Sequence, residues 1–243
     1  MRKLSAFAVR VTKEIVRDPL NLMFGLGFPL VLLFLLSAIQ ANIPVSLFEI
    51  KSLAPGVAVF GLSFLTLFSA TLISKDRTGA FLQRLYTTPL RACDYVLGYT
   101  LPMLPMALLQ SAVCYAAALL LGLEMSIHLM LACLLMLPVA LFYTALGLLC
   151  GTLFTDKQVG GICGALLTNL SAWLSGTWFD LSLVGGWFQK IANVLPFWHA
   201  VELERAVLRG EYTAILPHLW WVLGYALGMT AVAIAVFTKK MKV

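Results

Sequence analysis

Charged residues are scarce in this sequence. Only 12% of the 243 residues are Asp, Glu, Lys or Arg, whereas 61% are hydrophobic and the mean hydropathy is +0.93. A soluble domain is about half apolar and about a quarter charged, because its surface must stay polar. The composition therefore excludes an ordinary soluble enzyme, a disordered tail and a secreted disulfide scaffold, and it indicates a polytopic membrane protein.

Motifs for catalysis and metal binding are also lacking. No glycine is followed by lysine, so the phosphate-binding GxxxxGK[ST] loop is absent, as are HExxH and GxSxG. The five cysteines form no CxxC pair, and we interpret them as small buried hydrophobes. The sequence predicts no catalytic residue, no metal site and no cofactor in this chain.

Six apolar runs are long enough to cross a bilayer, since one spanning helix takes about 20 residues. No ionisable residue lies well inside any of them, which disfavours an ion-coupled carrier, although backbone carbonyls can also coordinate Na⁺. The predicted spans cover residues 21–40, 53–74, 95–121, 127–154, 159–177 and 215–238.

The distribution of basic residues predicts the orientation. Of the 17 Lys and Arg residues, 13 lie in the N-terminal tail, the loops 75–94 and 154–158, and the C-terminal tail. Because basic residues collect on the cytoplasmic side, both termini are expected there, in a multi-pass protein of the cell (plasma or inner) membrane. We therefore assign the positive charge to topology and anionic membrane lipid rather than to nucleic acid, and we expect one membrane domain over residues 1–243.

Residues 1–20 do not form a convincing signal peptide, because they carry acidic residues and no long apolar run. Leu4, Phe7, Ala8, Val11 and Ile15 recur at helical spacing, with basic residues mainly on the other side. This pattern is typical of an amphipathic helix on the membrane surface, and a plain juxtamembrane anchor is the alternative.

The loop 75–94 contains a second amphipathic pattern. A short helix can begin at Thr78 or Gly79 and end before Pro89. It would carry an apolar stripe flanked by basic residues, and that stripe packs either on the membrane surface or in a groove of a partner protein. The stripe consists of Phe81, Leu82, Leu85 and Tyr86, and the nearby basic residues include Arg77 and Arg84.

Two groups of residues stand out by their order and spacing. The first comprises Arg84-Leu85, Thr88-Pro89-Leu90 and Leu97-Gly98-Tyr99, and the second comprises residues 195–202 (LPFWHAVE), Arg205-Ala206 and Gly210. Together they resemble the ABC-2 type permeases, the membrane subunits of ABC exporters. The resemblance covers nearly the whole chain in length, span count and loop placement. One departure is the glutamate that many members have near Gly79, because here the acidic residue nearby is Asp76.

The resemblance implies a role for each segment. Residues 1–20 would form a connecting helix, and Thr78 to Thr88 would form a coupling helix that docks in a cleft of a separate ATPase subunit. Two ATPase copies would bind ATP and Mg²⁺, and a second permease copy or a paralogue would complete the transporter. The implied ATPase-coupling residues are Arg77, Gly79, Phe81, Leu82, Arg84, Leu85 and Tyr86.

The segment 178–217 is rich in aromatic residues that suit the membrane interface. In the family such segments half-enter the outer leaflet and cap the exit, and a surface hairpin packed on the bundle is the alternative. Glu202, Glu204, Arg205 and Arg209 are expected to face water. The candidate outer gate consists of Trp187, Phe188, Pro196, Phe197 and Trp198.

Three GxxxG pairs (147/151, 160/164 and 224/228) let helices approach closely, and packing within one subunit is their usual use. The resemblance places a two-fold dimer interface near spans one, two and five. Small and polar residues of span five are therefore candidates for the translocation seam between two copies. They are Gly160, Gly164, Thr168, Asn169, Ser171 and Ser175.

The sequence thus predicts an all-α membrane protein with six transmembrane helices, an N-terminal interfacial helix, a cytoplasmic coupling helix between spans two and three, and an outer-leaflet helical hairpin between spans five and six. The expected function is the permease subunit of an ATP-driven exporter for an amphipathic or hydrophobic cargo, such as a drug, a peptide antibiotic or a lipid-like molecule. An ion-coupled secondary transporter or channel is the alternative. A membrane-embedded enzyme is disfavoured because no catalytic cluster is visible.

Overall fold

A computed structural model describes residues 2–44, 48–79 and 92–241, and within these ranges it contains helices and no strand. Two π-helical segments interrupt the α-helices, at Met23–Gly27 and Gly160–Leu167. The α-helices are α1 (Arg2–Arg17), α2 (Pro19–Leu22), α3 (Phe28–Gln40), α4 (Ile50–Leu62), α5 (Phe64–Thr78), α6 (Ala92–Leu120), α7 (His128–Leu153), α8 (Asp156–Val159), α9 (Thr168–Leu174), α10 (Leu181–Val184), α11 (Gly186–Val194), α12 (Pro196–Arg209) and α13 (Tyr212–Met241).

Five helical runs in the described ranges are long and apolar enough to cross a membrane. The segment 156–174, where the sequence predicts the fifth of six spans, is helical but consists of α8, a π-helical segment and α9, and it is not among these five. The all-helical membrane fold is therefore confirmed, and the count of six remains a prediction. The five runs are Met23–Gln40, Ile50–Thr78, Ala92–Leu120, His128–Leu153 and Tyr212–Lys240.

Helix α1 packs against the first turns of α6. The periodic apolar stripe is present as the sequence predicts, but it does not lie free for a membrane surface, because Phe7, Val11 and Ile15 are at most 6% exposed within the protein. The ring of Phe7 lies edge-on to the ring of Tyr99, with centroids 4.9 Å apart. A Cβ atom on Gly98 would lie 2.2 Å from the Phe7 ring, so only glycine permits this contact. The α1 stripe is therefore buried against protein.

The centre of the bundle is the run α4–α5, in which 83% of the apolar window is buried. Helix α7 approaches α5 closely at Gly147 and Gly151, where an added Cβ would lie 2.0 Å from Ser69 Oγ and 2.4 Å from the Ala70 carbonyl oxygen. This GxxxG pair packs within the subunit, as predicted. Gly224 and Gly228 instead meet no described atom within 4 Å of an added Cβ.

The two ends of the bundle differ. At one end α1, the end of α5 and the last turns of α13 come together, and the rings of Tyr95 and Phe237 there are 5.6 Å apart. We call this the basic end, because the basic segment 75–94 leaves α5 here. At the opposite, hairpin end lie α10, α11 and α12, and α12 ends at Gly210 in the left-handed conformation (φ 73°).

Candidate functional site

A three-residue cluster joins α1, α5 and α6 at the basic end. The Arg10 guanidinium donates to both oxygens of Asp76, at 2.8 and 2.7 Å, and the Tyr99 hydroxyl donates to Asp76 Oδ2 at 2.7 Å. Glu14 Oε1 accepts a further bond from Arg10 at 2.7 Å. The Asp76 side chain is only 8% exposed, and a buried carboxylate is tolerated only when it is paired and hydrogen-bonded. The cluster therefore fixes α5 to its two neighbours.

Arg77 joins the end of α5 to the end of α7. Its guanidinium donates to the carbonyl oxygens of Thr152 and Phe154, the latter at 2.7 Å. The last carbonyl groups of a helix lack intrahelical hydrogen-bond partners and favour a nearby positive charge. The Arg77 guanidinium supplies both the hydrogen-bond donors and the charge. The sequence assigned Arg77 to an ATPase contact, and the structure shows this second, intramolecular set of bonds.

The predicted coupling helix lies mostly outside the described residues. Gly79 is the exposed C-cap of α5, and its N–H donates to the Lys75 carbonyl oxygen at 2.9 Å. Arg77 and Gly79 therefore lie at the end of α5, where the predicted coupling segment begins. The other predicted coupling residues, Phe81, Leu82, Arg84, Leu85 and Tyr86, lie outside the described residues.

The six predicted seam residues divide between two faces of residues 156–175. Gly160 and Asn169 are exposed, and Gly164 is half-buried with only ordinary contact to Leu67. The Asn169 amide donates to the Ala165 carbonyl oxygen at 2.8 Å, within its own helix. This exposed face is available to a membrane or a partner.

The other three seam residues, Thr168, Ser171 and Ser175, are buried within the protomer. Their hydroxyls bond within the chain rather than to a surface outside it, so the structure brings together only half of the predicted seam on an exposed face. The partners are the Cys163 carbonyl oxygen (2.9 Å), the Tyr143 hydroxyl (2.5 Å) and the Thr177 hydroxyl (2.7 Å), respectively.

The predicted outer gate is likewise divided. Trp187 on α11 is 81% exposed, and the Lys190 ammonium lies 5.3 Å from the centre of its ring. Phe188 is half-buried, and its ring centroid is 6.3 Å from that of Phe179. Helix α11 therefore presents an aromatic rim at the hairpin end.

The remaining gate residues begin α12 and belong to the interior. Pro196 and Phe197 are buried, and the Phe197 ring lies 5.9 Å from Phe142 and 6.2 Å from Tyr143. Trp198 is half-buried. Pro196 suits the first position of a helix because its missing N–H would be unpaired there. These residues anchor the hairpin in the bundle, and Trp187 and Phe188 are left as the outward face.

Arg205 connects the hairpin to two other elements. Its guanidinium donates to the Ser52 carbonyl oxygen (3.2 Å), the Gly176 carbonyl oxygen (3.0 Å) and Glu202 Oε1 (2.8 Å). The Arg205 side chain is 15% exposed and that of Glu202 is 19% exposed. The prediction that both face water was therefore wrong, because Arg205 spans the junction between α12, the start of α4 and the turn after α9.

Glu204 is the clearest correction to the sequence analysis. It was expected to face water, but it is 0% exposed, and its Oε2 accepts a hydrogen bond from the Tyr115 hydroxyl at 2.9 Å. Burial raises the pKa of the Glu204 carboxyl well above its usual value of 4.5. The signal was present in the sequence, because Glu204 lies three residues after Val201 and four before Leu208, on the same helix face as these two apolar residues.

Sequence reasoning also missed a histidine pair, because His199 and His218 are far apart in the chain. Their Nδ1 atoms are 2.8 Å apart, and His199 Nε2 lies 2.9 Å from the Asn193 carbonyl oxygen. A carbonyl only accepts, so His199 Nε2 carries the proton and the neutral His199 Nδ1 accepts from His218. Burial lowers the pKa of His199. The pair joins α12 to α13.

The site as a whole is suited to mechanical transmission. In the described ranges no group of three or more His, Cys, Asp or Glu side chains is placed to hold a metal ion. The polar clusters instead brace helices, at the basic end through Asp76 and Arg77 and at the hairpin end through Arg205. Because α4 and α5 are separated only by Ser63, the two braced ends belong to one nearly continuous rod.

Comparison with known proteins identifies the family of the chain. A family model described as ABC-2 type transporter matches residues 2–209. The chain is also 28% identical over 215 residues to ycf38 of Pyropia yezoensis, provisionally named a transport permease, and the match covers 84% of this chain and 73% of that protein. The chain therefore belongs to the ABC-2 type transporter family and is a transmembrane permease subunit that takes part in transport.

Proposed function

We propose that this chain is the membrane half of an ATP-driven exporter. It has six spans, with segment 156–174 as the fifth, and both termini lie in the cytoplasm beneath the cell membrane. Two copies of a separate ATPase subunit bind ATP and Mg²⁺, and a second permease copy or a paralogue completes the pathway. The cargo is amphipathic or hydrophobic and leaves the cytoplasm or the inner leaflet.

The observation that carries this proposal is the position of the segment 75–94. It continues directly from α4–α5, the most buried run in the chain, and the end of α5 is fixed to α1, α6 and α7 through Asp76 and Arg77. A force applied at the end of α5 would therefore pass into the helices to which that end is bonded. It reaches Ser52, and through Arg205 the outer hairpin.

The alternative, an ion-coupled carrier, needs ionisable groups that a translocating ion can reach. Among the described residues two carboxylates are buried. Asp76 is bonded to Arg10 and Tyr99, and Glu204, whose Oε2 accepts from Tyr115 and whose Oε1 has no described partner, is 0% exposed and so out of reach of an ion in solution. An ATPase partner is therefore favoured as the source of energy.

The test is purification in mild detergent from the native membrane, with identification of every co-purifying protein. A variant with Phe81→Asp, Leu82→Asp and Leu85→Asp should remain folded and lose an ATP-binding subunit that accompanies the native chain. The matched control makes the same change on the opposite side, at Leu183, Trp187 and Ile191, which are all at least 50% exposed.

The control should retain the ATPase, because the proposed docking surface is unchanged. If no ATPase accompanies the native chain even after gentle cross-linking, the exporter proposal fails. Transport that continues without ATP would then favour the ion-coupled carrier or channel.

A further inference from the structure

A cleft of about 390 Å³ opens at the basic end, between the end of α1 and the last turns of α5. Its volume lies at the lower end of the range for small-molecule sites, which runs from about 300 to 1,000 Å³. The residues that matter here are Glu14, Arg17, Asp18, Phe68, Leu72 and Lys75, all of which line it. None of them belongs to the sets predicted from the sequence.

The cleft carries both signs of charge. Arg17 and Lys75 are exposed cations, whereas Glu14 and Asp18 are partly buried carboxylates. Asp76, deeper in the wall, is neutralised by the bidentate contact from Arg10. Two cations therefore face two carboxylates, so the cleft offers no net attraction to a simple anion or cation. A ligand that carries both charges can satisfy both sides.

Glu14 is the carboxylate with the most to gain from a cation. It shares Arg10 with Asp76, so this guanidinium serves two carboxylates. Burial raises the pKa of the Glu14 carboxyl above its usual value of 4.5. Because Arg10 shares its single positive charge between Glu14 and Asp76, an ammonium group placed beside Glu14 would add positive charge there.

The other wall of the cleft is apolar and continues into an aromatic face. Phe68 and Leu72 line the cleft, and the Phe68 ring lies 6.4 Å from that of Phe64. Phe64 in turn contacts Phe24 and Phe28, with centroids 5.8 and 5.6 Å away. The last two are 36% and 37% exposed. Phe64 and Phe68 are themselves buried, at 6% and 1% exposed, so the outward rings of Phe24 and Phe28 beside them are what offers an apolar surface to a hydrocarbon chain.

We propose that this cleft binds the zwitterionic headgroup of a phospholipid-like amphipath, with its phosphate at Arg17 and Lys75 and its ammonium at Glu14 and Asp18. The chains of the amphipath lie along Phe24 and Phe28. This inference deepens the proposed function, on which it rests, since such a molecule in the inner leaflet would be the cargo or a close analogue of it. The apolar wall favours a lipid over a free phosphate ester.

The test is native mass spectrometry of the full chain in detergent, titrated with short-chain phosphatidylcholine, phosphatidylglycerol or free phosphocholine. We expect phosphatidylcholine to bind best and free phosphocholine to bind weakly. Lys75→Gln should weaken phosphatidylcholine binding roughly fivefold to tenfold, as expected for the loss of one charge-assisted contact. Lys51→Gln, which changes an exposed lysine at the hairpin end, should leave binding unchanged.

A second variant tests the charge balance directly. Glu14→Gln removes one negative charge, so the cleft should then prefer phosphatidylglycerol over phosphatidylcholine. Asp18→Asn should shift the preference in the same direction. Agreement between the two variants would assign the shift to the lost negative charge rather than to the lost bond between Glu14 and Arg10. The proposal would be overturned if the native chain bound both lipids equally, or if none of these variants changed its preference. If free phosphocholine bound as tightly as phosphatidylcholine, the assignment of the ligand to a lipid would be overturned.

The failures of the two proposals can be told apart, because this assay contains no ATPase. If an ATPase co-purifies with the chain but the cleft shows no headgroup preference, the exporter proposal remains and the headgroup site falls. If the preference is found and no ATPase co-purifies, the chain binds lipid but the exporter proposal fails.

Discussion

Gly98 and Tyr99 show how single residues of a family-like motif acquire a physical role. The Phe7 ring occupies the space that a side chain at position 98 would need. The Tyr99 hydroxyl donates a hydrogen bond to Asp76 Oδ2. Both contacts attach α1 to the bundle beside the segment 75–94. The docking of the N-terminal helix is therefore a sufficient physical reason for glycine and tyrosine at these two positions.

Gly98→Val should detach α1, because the new Cβ would overlap the Phe7 ring. Overpacking of this kind costs about 1–3 kcal/mol, and thermal unfolding in detergent would measure the loss. Gly228→Val is the matched control, since an added Cβ there meets no described atom within 4 Å. Equal stability of the two variants would contradict the α1 contact.

The two arginines around Gly79 should have separable roles. Arg77→Gln removes the bonds to Thr152 and Phe154, so we expect thermal stability to fall by about 1–3 kcal/mol. Arg84→Gln should leave stability unchanged and reduce the amount of ATPase that co-purifies, because Arg84 is a predicted docking residue. The division would be contradicted if Arg84→Gln lowered thermal stability while Arg77→Gln left stability unchanged and reduced the amount of co-purifying ATPase.

At the scale of elements, α1 and α12 show what can be predicted from sequence. The helical repeat of Phe7, Val11 and Ile15 is confirmed, but the surface that covers it is protein rather than the predicted membrane surface, because a local repeat does not identify the partner. Glu204 was assigned to water because residue type was given more weight than its position on the apolar face of α12. The partner that makes its burial tolerable, Tyr115, lies 89 residues away, and a sequence pattern does not reveal such long-range pairs.

The contact between α12 and α13 should weaken in acid. Burial lowers the pKa of His199 below its usual value of 6.5, so the unfolded chain binds a proton more readily than the native structure. Stability should therefore be fully present above about pH 6.5 and be lost as the pH falls towards the lowered pKa. Protonation would also place a hydrogen on both facing Nδ1 atoms and break the bond to His218.

Thermal unfolding between pH 7.5 and pH 5.5 measures this effect. His199→Asn should flatten the dependence on pH, whereas the control His128→Asn, which changes a histidine bonded to Tyr212, should retain it. An unchanged slope in His199→Asn would show that the pair does not sense pH.

At the scale of the whole molecule, burial is unequal among the spans. The windows of Met23–Gln40 and Tyr212–Lys240 are each only 17% buried, whereas the window of Ile50–Thr78 is 83% buried. The number of spans could be approximated from hydropathy, but the π-helical segment Gly160–Leu167 breaks the fifth predicted span in a way that apolar composition does not reveal. The exposed first span and the exposed glycines of 156–174 are compatible with the dimer that the family resemblance implies.

The central claim is that residues 78–88 dock on a separate ATPase. A photo-cross-linking residue, p-benzoyl-phenylalanine, placed at Leu82 in the native membrane tests it most directly, with the same residue at Leu109, which is 51% exposed on α6, as the control. We predict that the Leu82 adduct contains a protein with a GxxxxGK[ST] loop, that its yield changes with ATP, and that the control yields no such adduct. An adduct at Leu82 with lipid alone would contradict the claim and assign the apolar stripe to the membrane surface.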